Sequence, residues 1–96
     1  MIIHIALFKF KPEVSKEEAD DALNEVRDLK IKIPQIIEIY TGENFSKHSK
    51  GFTHAIVVKF NSGEDIDAYR AHPAHKPIAD KLDSMEEDSI GIDFEV

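Results

Sequence analysis

Residues 2–10, IIHIALFKF, and 52–60, FTHAIVVKF, decide the fold, because in both segments apolar side chains fall on each side of an alternating pattern. A β-strand sends successive side chains to opposite faces. His4, Ala6, Phe8 and Phe10 therefore share one face of the first segment, and Ile3, Ile5 and Leu7 the other. In the second segment His54, Ile56, Val58 and Phe60 oppose Ala55 and Val57. Strands of this kind need cover on both faces.

The remaining elements fall into place around these two. Pro12 stops the first strand, since proline cannot donate to a sheet ladder. Ser15 with Glu18 three residues on is a capping-box signature. Behind it Ala19, Ala22, Leu23, Val26 and Leu29 recur at helical spacing, which predicts an amphipathic helix over roughly 16–31. Asp20, Asp21, Asn24, Arg27 and Asp28 then form its solvated face, and Pro34 marks its exit. A second strand is expected from Ile36 to Thr41, closed by Gly42, and a polar loop over 45–51. Asn61, Ser62 and Gly63 end the third strand. A short helix from about Glu64 to Ala71, a break at HPAHKP (72–77), and a helix carrying Ile78, Ala79, Leu82 and Met85 follow. Ile90, Ile92, Phe94 and Val96 alternate in a last strand from Ser89 to Val96.

This order is βαββαβ, an α+β ferredoxin-like arrangement in which residues 1–96 form one domain. The first and third strands are expected to be parallel central neighbours, with His4 and His54 side by side at one end of the sheet. Two helices cover only one face of such a sheet. The other face would expose an apolar patch of a size seldom left open on a monomer. Packing sheet to sheet against a second copy across a two-fold axis covers it, so a homodimer is expected.

Composition removes several functions. The formal net charge is −7, with no cluster of Lys and Arg, which argues against a nucleic-acid partner. No apolar run reaches the roughly 20 residues a membrane helix needs. The opening segment lacks the basic start and cleavage site of a signal peptide. There are no cysteines, which removes thiol chemistry and suits a cytoplasmic setting.

The five histidines are the informative residues. His4 and His54 read either as half-buried structural histidines or as pocket lining. Tyr69, His72 and His75 cluster around Pro73 and Pro77. A helix starting near either proline puts His75 at its N-terminus, where the positive end of the dipole keeps imidazole neutral. A neutral imidazole beside a phenol can move a proton at an activated carbon. The plainer reading is that the prolines shape a turn and the histidines bond backbone. His72 and His75 have i,i+3 spacing, but no HExxH motif accompanies them, and no metal or cofactor is expected. No GxSxG elbow or phosphate-cradling glycine loop is present either.

His4 with the following LFKFK, Ile33-Pro34, the strand leading to Gly42, Phe52 to His54, and above all AYRAHPAH (68–75) occur in an order and spacing that resemble the stress-responsive α/β-barrel (Dabb) family over essentially the full chain. The resemblance implies a homodimeric α/β barrel. It is similar to the family's plant polyketide cyclases, in which the second histidine of HPAH is the general base for an intramolecular aldol closure and an upstream tyrosine assists. Carried over by motif, the base is His75 and the assisting phenol Tyr69, with His4 and His54 lining the pocket, and His72 beside them is a further expected substrate contact. Val26 and Ile56 complete the expected lining. The cyclases carry an aromatic residue on the first helix where this chain has Val26, which implies a reshaped pocket. The expected ligand is a small carbonyl compound. A non-catalytic, stress-associated ligand-binding barrel is the competing expectation.

Overall fold

The computed structural model describes residues 1–96. Its elements run β1 (Ile2–Phe10), α1 (Lys16–Lys32), β2 (Glu38–Glu43), β3 (His54–Phe60), α2 (Gly63–Ala71), α3 (His75–Met85) and β4 (Glu86–Glu95). The sheet order is β2-β3-β1-β4, and every neighbouring pair is antiparallel. This is the ferredoxin-like arrangement, with one correction. β1 and β3 are the central neighbours but run antiparallel, so the starts of the two strands lie at opposite ends of the sheet. The reason lies in the connections. The crossover through α1 makes β2 parallel to β1, and the β2–β3 hairpin then reverses the chain.

The capping box forms as the sequence requires. Ser15 Oγ accepts from the Glu18 amide at 3.0 Å, while the Glu18 carboxylate accepts from the Ser15 amide at 3.2 Å. Ile33 closes α1 and Pro34 prevents its continuation. β2 begins two residues later than the pattern suggests and runs through Gly42, which pairs with Ala55. β4 begins at Glu86, directly after α3, because the polar Glu86–Ser89 stretch pairs with the end of β1 despite lacking alternation.

The helices lie on one face of the sheet. Ala19, Ala22, Leu23, Val26 and Leu29 of α1 pack there with Ile56, Val58 and Phe60 of β3, joined by Phe8, Ile66, Tyr69 and Leu82. The register sorts this inner face into rows across the sheet: Ile39–Val58–His4–Asp93, then Thr41–Ile56–Ala6–Gly91, then Glu43–His54–Phe8–Ser89. The outer face carries the interleaved rows. One of them, Tyr40–Val57–Ile5–Ile92, crosses all four strands. In the single chain Tyr40, Ile90, Ile92 and Phe94 are between 42% and 55% exposed, so this face has no helix to cover it. No helix is long and apolar enough to cross a membrane.

Phe60 is fully buried at the centre of the core. Phe60→Ala removes about 3–5 kcal/mol of stability in a denaturant titration, while Ile31→Ala, at an 87% exposed position, stays within about 0.5 kcal/mol.

Candidate active site

Between the helices and the His4 end of the sheet lies a cavity of about 130 Å³. Its walls come from β1 (His4, Ala6, Phe8), α1 (Val26, Leu29), β3 (Ile56), α2 (Tyr69) and α3 (His75, Ile78, Ala79, Leu82, Asp83). Five of the seven residues singled out from the sequence thus meet here: His4, Val26, Ile56, Tyr69 and His75. The volume is close to the roughly 150 Å³ of an apolar protein cavity that admits benzene. It suits one ring or a short chain.

Tyr69 ends up in this wall because α2 is short. Ser62 caps it, accepting from the Asp65 amide at 3.3 Å, and the helix stops at Ala71 before Pro73. His75 is the first residue of α3, and Pro77 sits in the same first turn, where its missing N–H costs nothing. The rings of Tyr69 and His75 meet edge to face with centroids 4.5 Å apart, and the Tyr69 ring lies 6.3 Å from that of His4. Phe60 backs Tyr69 at 5.0 Å.

Electrostatics assign these groups different proton states. Burial pushes the Tyr69 phenol up to about 12, so it remains a donor across the physiological range. Burial, with the nearby His4 and Arg70, lowers His75, leaving its imidazole neutral and basic at pH 7. His4 is held differently. Its Nδ1 lies 2.5 Å from an Asp93 carboxylate oxygen, and the other Asp93 oxygen accepts from Arg70 at 2.7 Å. Burial raises the Asp93 carboxyl, but the bonds from Arg70 and His4 outweigh it and hold the group below its ordinary value. The carboxylate fixes the His4 ring and leaves Nε2 as the nitrogen available to a ligand. The arrangement therefore offers a neutral base, a phenol donor and an oriented imidazole around an apolar space.

Two residues named with these lie elsewhere. His54 is at the far end of the inner face, opposite Phe8, because β1 and β3 are antiparallel. Its Nδ1 is 2.7 Å from Thr53 Oγ1, and its ring packs on Phe10 at 4.9 Å. His72 closes α2, where its Nδ1 accepts from the Ala74 amide at 3.0 Å. This local bond shapes the HPAH turn and so sets where His75 emerges. Asp93 and Arg70 escaped the sequence reading. An acid among Ile90, Ile92 and Phe94, at an inward position of an apolar strand, was the available signal.

Comparison with known proteins joins this geometry to a family. The stress-responsive A/B barrel domain description matches residues 2–96. The chain belongs to that family. Olivetolic acid cyclase from Cannabis sativa is 30% identical over 93 residues, covering 95% of this chain and 92% of the cyclase. Among solved structures, a hydroxynitrile lyase from Passiflora edulis superposes with a TM-score of 0.93 at 20% identity, covering 99% of this chain and 92% of the lyase. A dimeric ferredoxin-like protein of unknown function from Bacteroides fragilis gives 0.79 at 27% identity, covering 99% and 95%.

The lowered histidines make stability depend on pH. An unfolded imidazole takes up a proton near pH 6.5, whereas folded His75 and His54 resist it. The unfolded chain therefore binds more protons below that pH, and stability falls as pH drops from about 6.5. Thermal melts between pH 7.5 and 5 show the decline, and His75→Gln removes part of it. A melting temperature constant over that range contradicts the assignment.

Proposed function

We propose that this chain forms a homodimer through its outer sheet face, and that each protomer carries an acid–base site acting on a small carbonyl compound. The observation that carries the chemical half is the edge-to-face pairing of His75 with Tyr69, one neutral and basic, the other a permanent donor, in the apolar cavity. Olivetolic acid cyclase, the relative 30% identical over nearly the whole chain, bears the name of a ring-closing enzyme.

The proposed step balances within these residues. His75 takes a proton from the carbon beside a carbonyl, and Tyr69 donates a hydrogen bond to that carbonyl oxygen as enolate charge develops. His4, held by Asp93, orients the substrate. In an aldol closure the enolate carbon forms a bond to a second carbonyl carbon. The alkoxide formed there takes back the proton His75 removed. Val26 and Ile56 supply apolar wall, and the 130 Å³ volume restricts the substrate to about one ring.

The dimer follows from the outer face. Its apolar rows are self-complementary in character, and the two layers already present leave them open to water. The Bacteroides fragilis relative is described as dimeric. Packing two such sheets buries both sets of rows in one interface.

Catalysed exchange of the α-protons of cyclohexanone into D2O, followed by proton NMR, tests the chemistry without a known substrate. His75→Ala lowers the catalysed rate about 10²–10⁴-fold, and Tyr69→Phe lowers it about 10²-fold or more, while Ile31→Ala has no effect. Equal rates in all variants would falsify the assignment of the base. Light scattering on the intact chain gives twice the chain mass at micromolar concentration. Ile5→Asp, at the centre of the outer face, shifts that mass to a single chain; a monomeric parent sinks the interface.

A further inference from the structure

The far end of the inner face holds a second group of polar side chains, from three different elements. Glu43, the last residue of β2, is the direct cross-strand partner of His54, the first residue of β3, and Asp20 of α1 lies over them. One ligating atom from each of Asp20, Glu43 and His54 lies within 4.8 Å of the others. His54 Nε2 is buried and has no hydrogen-bond partner, an unusual state for an imidazole nitrogen beside two carboxylates. Its other nitrogen faces Thr53 Oγ1 at 2.7 Å. When Nδ1 donates its proton to Thr53, the Nε2 lone pair faces the two acids, an arrangement that calls for a cation between them. A cation is already nearby: Lys16 Nζ stands 3.3 Å from Asp20 and 3.7 Å from Glu43, yet makes no bond to His54.

We propose that Asp20, Glu43 and His54 form a binding site for a divalent transition cation of the zinc type, with Lys16 as the ammonium it displaces. One imidazole and two carboxylates suit Zn²⁺ with water in a fourth position. Calcium and magnesium demand more oxygen ligands and gain little from imidazole. Bonds of about 2.0–2.1 Å to a tetrahedral ion bring ligand atoms to roughly 3.3 Å apart. Rotamer changes of exposed Glu43 and half-buried Asp20 close that gap, while β3 holds His54 still. The site is separate from the cavity of Tyr69 and His75, none of whose lining residues it shares.

Titration of the untagged, full chain with ZnCl2 by calorimetry, and with Co²⁺ by its visible absorption, tests the proposal. The parent chain binds one ion per protomer. Asp20→Asn and Glu43→Gln each weaken binding at least tenfold, and Thr53→Val weakens it about 10–100-fold by releasing the second nitrogen of His54. Lys16→Met tightens binding about tenfold, because the competing charge is gone. That gain separates this site from adventitious binding at any other histidine, and folding of each variant is checked by circular dichroism. Absence of binding in both the parent and Lys16→Met overturns the proposal. So does affinity that is indifferent to Glu43→Gln and Asp20→Asn, or that disappears with His75→Gln instead.

Discussion

The antiparallel register of β1 is the constraint on which the rest of the structure depends. β1 is bonded on one side to β3 and on the other to β4, and its pairings fix which inner-face side chains of those three strands lie opposite one another. His4 faces Val58 on one neighbour and Asp93 on the other. That adjacency creates the His4–Asp93 pair without help from any loop. A slip of one residue would send His4 and Asp93 to opposite faces and turn Ile3 and Ile5 inward. The apolar residues on both faces resist such a slip, since each face has its own burial demand.

The same register divides the inner face into two chemical ends. At one end Tyr69 and His75 close over His4, and an apolar floor of Ala6, Ile56, Val26 and Leu29 makes an environment where a neutral imidazole is favoured. At the other end His54 pairs across strands with Glu43, and Asp20 and Lys16 of α1 bring opposite charges to it. The packed middle of the sheet separates them. Histidines that look equivalent in sequence thus meet different neighbours.

Much of this was legible in the sequence, and the reasons are specific. The alternation in 2–10 and 52–60 gives the central strands and the two-sided burial, because strand period is a direct consequence of backbone geometry. Ser15 and Glu18 mark the start of α1 through a local hydrogen-bond exchange. Pro73 and Pro77 mark the break that puts His75 at a helix start. Strand direction is not encoded in that alternation. A parallel β1–β3 pair would set His54 beside His4, whereas the chain reversal between β2 and β3 sends it to the far end. Asp93 and Arg70 were invisible for a related reason. Their roles depend on which residue of β4 lies opposite His4, and no local signal encodes a pairing between residues 89 positions apart in the chain. His72 shows the limit of motif reading: within HPAH it bonds backbone, and only its neighbour three residues on reaches the cavity.

The most direct test of the account is the behaviour of the individual histidine rings in solution. A ¹⁵N-resolved NMR titration of the intact chain, with and without cyclohexanone, reads each ring separately. His75 is expected to titrate below its ordinary 6.5, and the ketone to perturb the His75 and His4 rings while leaving His54 unchanged. A His75 ring that titrates at or above 6.5, or a ketone response shared equally by His54, would contradict the division of the sheet into two separate ends.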